Sequence, residues 1–175
     1  MMIVWRLVIL VNEVILMRLE FSNPSIFKDI FESIGHIVDE VKIVASNDGL
    51  RVDALDKSHI TFVNLVLQPS LFDEYECVDI EELLVDTQEL MNTLKRCKND
   101  DILKLETTDG KLVLRFDGDA SRTFKLRLIH EEYESPVPPS IDYPVTLTIP
   151  SVLVKDSLSD CRLYGENLQI GRAHV

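Results

Sequence analysis

Cysteine is scarce in this chain: Cys77, Cys97 and Cys161 are the three among 175 residues. None stands in a Cys-x-x-Cys pair, so the spacing supplies neither a disulfide framework nor a zinc knuckle, and the usage suits a reducing cytoplasm. Histidine is as thin. His36, His59, His130 and His174 are scattered, form no helical metal-binding pair and lie beside no nucleophile elbow. The six glycines stand too far apart to cradle a phosphate. Basic residues are outnumbered, 18 Lys and Arg against 30 Asp and Glu, for a net charge of -12. With a pI near 4.7, that balance excludes a protein gripping phosphates over its whole surface. Long apolar runs are missing too. Residues 1–16 are strongly apolar, but Arg6, Asn12 and Glu13 interrupt them, and they fall short of the roughly 20 residues a membrane-spanning helix needs. Val14, Ile15 and Leu16 provide no small-residue cleavage site for a signal peptide. No catalytic set and no cofactor motif emerges, and His59, without partners, reads as structural.

What is present is a 46% hydrophobic composition, enough for one good core and the start of a second. Asn23 followed by Pro24 predicts a helix start, after which Ile26, Phe27, Ile30, Phe31 and Ile34 fall on one face. Its polar face mixes Lys28, Asp29, Glu32 and His36. A second helix is predicted from Asp86 as cap with Glu89 three residues on, and Leu90, Met91, Leu94 and Cys97 as its buried stripe. Lys95, Arg96 and Lys98 crowd its last turns. Cations there complement the helix dipole, yet their clustering in an acidic chain is also the asymmetry of a nucleic-acid-facing patch.

Strands are predicted over 41–45 and 50–54, around a Ser46-Asn47-Asp48-Gly49 hairpin turn, and along the apolar-rich run 60–67. Thr108-Asp109-Gly110 and Asp117-Gly118-Asp119 punctuate three more, over 102–106, 112–116 and 123–129. The second cluster lacks the spaced ligands of a calcium loop and reads as a turn. After Ile129 the chain turns acidic and polar, and Pro136-Val137-Pro138-Pro139 can continue neither a helix nor a central strand, which marks a linker. Beyond it, Leu147 to Asp156 parallels Leu19 to Asp29: a strand, a Pro-Ser helix start and a Lys-Asp pair recur, as in an internal duplication.

The block Ala54-Leu55-Asp56-Lys57-Ser58-His59-Ile60, with Leu71 to Glu76, Leu94 to Ile102, and Arg122-Thr123-Phe124 leading to Leu128 and Ile129, resembles the archaeal form of the proliferating-cell-nuclear-antigen type of DNA sliding clamp. The resemblance runs from Met17 to about residue 169. It implies an α+β sliding-clamp fold, internally duplicated, with two helices on one face of an antiparallel sheet. It implies no enzyme and no cofactor, but a processivity factor that encircles duplex DNA, tethers polymerase, clamp loader and other proteins bearing clamp-binding motifs, forms a homotrimer when full length, and makes no use of a membrane. A local basic lining inside an acidic body suits a protein that holds DNA by topology. Carried onto matching positions, the resemblance puts Lys28, Lys95, Arg96, Lys98 and Lys155 toward DNA. Asp29, Gly35 and Asn92 stand where relatives carry lysine, so the lining is less basic. It puts Leu55, Ile60, Phe62, Val137 and Pro138 in a partner pocket, and Arg122, Phe124 and Leu126 on the edge strand that joins subunits.

The resulting organisation is a non-native extension over 1–16 with Met17 as the start, a first clamp domain over 17–130, a connecting loop over 131–143, the start of a truncated second domain over 144–169, and an artefactual tail over 170–175 resembling translated sequencing adapter. Without the rest of the second domain, the edge strand is expected to stay open, leaving a monomeric or aggregation-prone chain. The location implied is the cytoplasm for an archaeal-type clamp, or the nucleus for a eukaryotic one. Two alternatives remain: a clamp-like checkpoint paralogue, and an unrelated small α+β enzyme or ligand-binding domain.

Overall fold

The computed structural model describes residues 16–137, 140–142, 144–146 and 148–165. These fall into two compact units, residues 1–138 and 139–175. In the first unit nine strands and two helices follow in the order β1 (Met17–Phe21), α1 (Pro24–Gly35), β2 (Glu40–Ser46), β3 (Gly49–Leu55), β4 (Phe62–Leu67), β5 (Glu74–Cys77), β6 (Glu81–Asp86), α2 (Thr87–Leu94), β7 (Ile102–Thr108), β8 (Lys111–Asp117) and β9 (Arg122–Arg127). The fold is α+β and every strand pairing is antiparallel. The strands divide between two sheets, ordered β5-β1-β7-β8-β9 and β4-β3-β2-β6.

Alternation builds both sheets. β1 buries Met17, Leu19 and Phe21, β2 buries Val41, Ile43 and Ala45, and β7 buries Leu103, Leu105 and Thr107. Each sheet therefore offers one apolar face to a shared core. Phe27, Phe31 and Ile34 of α1 and Leu90 and Leu94 of α2 join that core. The two sheets are tied at Ile129, whose N–H donates to Leu84 O at 2.9 Å. Thr87 Oγ1 donates to Val38 O at 2.6 Å and anchors the start of α2 to the segment before β2.

Some sequence expectations need correction. Ile26, placed on the buried stripe of α1, is 51% exposed, because it lies at the border of the helix face beside the equally open Leu71. Asn23 does occupy the cap position, but its side chain caps no backbone N–H and instead accepts from Ser25 Oγ. Asp86 caps α2 as expected, its Oδ1 accepting from Glu89 N at 2.8 Å. That helix ends at Leu94, so Arg96 and Lys98 lie on the turn beyond it rather than in its last turn. Strands β5 and β6 were not foreseen: four of their ten residues are glutamate, which masks the strand pattern.

The second unit holds one helix among its described residues, α3 (Ser151–Cys161), starting just after Pro150. The strand expected before it is not formed among the described residues, where no partner strand is present to pair with it, and Leu147 lies outside them. No helix among the described residues is long and apolar enough to cross a membrane.

Candidate nucleic-acid interface and partner groove

α1 and α2 lie against each other. Gly35 permits the approach: a Cβ there would stand 2.3 Å from Met91 Sδ. The seam between the helices is lined by Lys28, Asp29, Glu32, Met91, Leu94 and Lys95. Two of the five predicted DNA-facing cations thus meet in one place, interleaved with two carboxylates.

Lys28 is engaged within the fold. Its Nζ donates to Cys97 O and to Asn99 Oδ1, each at 3.0 Å, so it staples α1 to the turn after α2. Lys95 lies 3.9 Å from Glu32, and Lys98 lies 3.4 Å from Asp119. Both pairs are solvent-exposed and therefore weak, leaving these cations available to a stronger anion. Arg96 is exposed. Lys155 is exposed on α3, in the second unit. Beneath the turn, Cys97 is 2% exposed, and burial, with the charge of Asp101, pushes its thiol up to about 11. It is an inert core residue, not a nucleophile.

On another part of the first unit a groove of about 560 Å³ runs between the start of β2 and the loop after β3. Ile37, Val38 and Leu55 give it apolar surface, while Asp39, Glu40, Asp56, Lys57 and Ser58 give it a mostly acidic rim. Tyr133, from the segment after β9, closes one side. Burial, then the charge of Glu40, raises the Tyr133 phenol above its ordinary value. Lys57 Nζ bonds Asp39 Oδ2 at 2.5 Å, which raises the ammonium's pKa.

Of the four predicted pocket residues among the described residues, Leu55 alone lines this groove. Ile60 is 83% exposed and Val137 85% exposed, Phe62 is half-buried at the start of β4, and Pro138 lies outside the described residues. Sequence reasoning missed Tyr133 and Val38. An aromatic in an otherwise acidic linker was the available signal for Tyr133.

The loop that carries the rim is built on Asp56. Its carboxylate accepts from Ile60 N at 2.8 Å and Thr61 N at 2.7 Å and also from Ser58 Oγ. The hydroxyl, and then the backbone N–H groups, hold its pKa down to about 2. His59 completes the loop with a left-handed φ of 58°.

β9 forms one edge of the five-stranded sheet. Leu126 is 4% exposed and the Phe124 ring lies 5.1 Å from that of Phe116, so both side chains turn to this unit's own core. What the edge offers a neighbour is its outer row of backbone N–H and C=O groups. Arg122 is tied inward, to Asp101 and to Arg96 O.

Residues 16–134 match the family described as "Proliferating cell nuclear antigen, N-terminal domain". Among curated relatives, a DNA polymerase sliding clamp of Methanothermobacter thermautotrophicus is 48% identical over 151 residues, covering 86% of this chain and 62% of the relative. One from Methanobrevibacter smithii is 42% identical over 153 residues, covering 87% and 63%. The chain thus spans about three fifths of the length of these relatives. Among solved structures, the proliferating cellular nuclear antigen of Entamoeba histolytica superposes with a TM-score of 0.70 at 26% identity, covering 74% of this chain and 54% of that one. The PCNA2-PCNA3 complex of Sulfolobus tokodaii gives 0.71 at 25% identity, covering 85% and 61%.

Proposed function

The chain belongs to the proliferating cell nuclear antigen family, and from that premise we propose that it is the DNA-encircling body of a sliding clamp, a non-catalytic processivity factor of archaeal type. The observation that carries this reading is the helix pair: Lys28 of α1 and Lys95 at the cap of α2 meet at one seam, beside the exposed Arg96 and Lys98, in a protein whose net charge is -12. A surface so placed suits loose, sliding contact with phosphates, because a few exposed cations attract the duplex without gripping it.

In this reading Lys95, Arg96 and Lys98 face the duplex, with Lys155 from the second unit and with Lys28 in a mainly structural part. The groove beside Leu55 and Tyr133 takes the apolar anchors of partner motifs, from polymerase and clamp loader among others, with Ile60, Phe62, Val137 and Pro138 contributing to the apolar floor of that partner site. The β9 edge, through the backbone of Arg122, Phe124 and Leu126, meets the next subunit of a homotrimer. Its place is the cytoplasm of an archaeal-type cell.

The test is processivity on primed circular DNA. This chain is extended with the remaining C-terminal portion of its Methanothermobacter relative and compared with the same protein carrying Lys95→Gln, Arg96→Gln and Lys98→Gln. The triple variant should give shorter products, with a weaker dependence on salt, so that its deficit shrinks as salt rises and screens the wild type's phosphate contacts. Equal product lengths at all salt concentrations would refute the placement of these residues on DNA.

A further inference from the structure

A helix leaves its last carbonyls without intrahelical partners, and a turn that follows it is usually free to fray. Here the turn's own N–H groups take Met91, Thr93 and Leu94 O, and side chains from other elements take the carbonyls of the turn itself. Arg96 O accepts from Arg122 Nη1 at 2.8 Å, and Cys97 O accepts from Lys28 Nζ at 3.0 Å. Arg122 is aimed by its second nitrogen, which bonds the carboxylate of Asp101. That carboxylate is 2% exposed and also accepts from Lys98 N at 2.7 Å. The guanidinium rests 5.6 Å from the centroid of the Phe116 ring. Gly118 backs directly onto the carboxylate: a Cβ there would stand 2.2 Å from Asp101 Oδ1. The backbone of the turn is therefore pinned at residues 96, 97 and 98, while the side chains of Lys95, Arg96 and Lys98 stay exposed.

We propose that the pair of buried Asp101 and half-buried Arg122 is a positioning device, which fixes the turn over 95–98 in the one conformation that presents its cations together to a phosphate backbone. The proposal rests on the DNA-facing reading of that turn. It also gives Arg122, on the sheet edge, a task inside its own subunit. Only arginine fits. Its planar fork serves the carboxylate and the carbonyl at once, whereas a lysine ammonium is a single point donor on a flexible stem. Removing it leaves the Asp101 carboxylate buried and short of a partner beneath the turn, the costly way to break such a pair.

Amide hydrogen exchange on the 175-residue chain, wild type against Arg122→Met and Arg122→Lys, reads the turn directly. Residues 95–101 should exchange at least roughly tenfold faster in Arg122→Met, with an intermediate gain in Arg122→Lys and no change across β2 and β3. Should Arg122→Met fail to fold, Arg122→Lys carries the comparison.

The second readout is binding of a short duplex at low ionic strength as salt is raised. The slope of log affinity against log salt should fall by about one unit in the variant, since fewer phosphates are met in register. A merely structural role would lower the folded fraction and leave that slope alone. Exchange that is unchanged at 95–101, or accelerated uniformly through both sheets, overturns the proposal. A Lys95→Gln, Arg96→Gln, Lys98→Gln variant separates the two levels. If it binds duplex as the wild type does, the DNA reading itself fails. If it loses binding while Arg122→Met keeps both exchange and slope, the positioning role fails and the DNA reading stands.

Discussion

Gly49 and Gly110 both have positive φ, +122° and +67°, but their surroundings differ in kind. A Cβ on Gly49 would stand 2.2 Å from the backbone oxygen of Leu67, whereas one on Gly110 would meet only the His130 ring at 3.6 Å. A backbone carbonyl held in a sheet cannot move aside as a ring on a surface loop can. Gly49→Ala should therefore cost more than Gly110→Ala, near the top of the range of about 1–3 kcal/mol for a strained backbone position. Urea denaturation of the two variants checks this, and equal losses would show that the left-handed conformation alone sets the cost. The sequence announced Gly49 through its hairpin turn. It did not announce the contact with Leu67, which depends on β4 lying beside β3.

At the scale of elements, the rim loop after β3 is organised by one carboxylate, so its integrity follows that group's protonation. Asp56 has a folded-state pKa depressed from 3.8 to about 2. A depressed acid contributes its stabilisation above the unfolded value, and that contribution is lost as pH falls through the folded one. The loop should thus hold at pH 5 and open between about pH 4 and pH 2. Carboxyl-detected NMR titration should place the Asp56 midpoint near 2, with the Ile60 and Thr61 amide shifts moving in step. A midpoint near the ordinary 3.8 would mean that those N–H groups do not bond to it.

The same scale shows which elements were legible. α1, α2 and six of the strands, β2, β3, β4, β7, β8 and β9, follow from period, cap and turn residues that sit within a few positions of one another. β5 and β6 were hidden because Glu74, Glu76, Glu81 and Glu82 weaken their pattern; β5 is an edge paired to β1, and β6 is an edge paired to β2. The division into two sheets was equally hidden, since it depends on which strands meet and not on what each is. For the site, the cationic cluster after Leu94 was visible as composition. The Asp101–Arg122 pair, joining residues 21 apart in sequence, and the seating of Tyr133 against the groove were not, because only tertiary packing brings those groups together.

At the scale of the whole molecule, an acidic chain can hold DNA lastingly only by enclosure, because adhesion at one cationic turn is weak and is lost as salt rises. A surface-binding protein would need phosphate contacts that 18 cations among 30 carboxylates cannot furnish over any large area. Enclosure makes a topological prediction that adhesion does not. The chain, extended with the remaining portion of its Methanothermobacter relative, is loaded onto nicked circular DNA and separated from unbound protein by gel filtration in high salt. The account predicts that it stays with the closed circle and is lost when a restriction enzyme linearises the DNA. Equal retention on circular and linear DNA, or loss from both at the same salt, would contradict it.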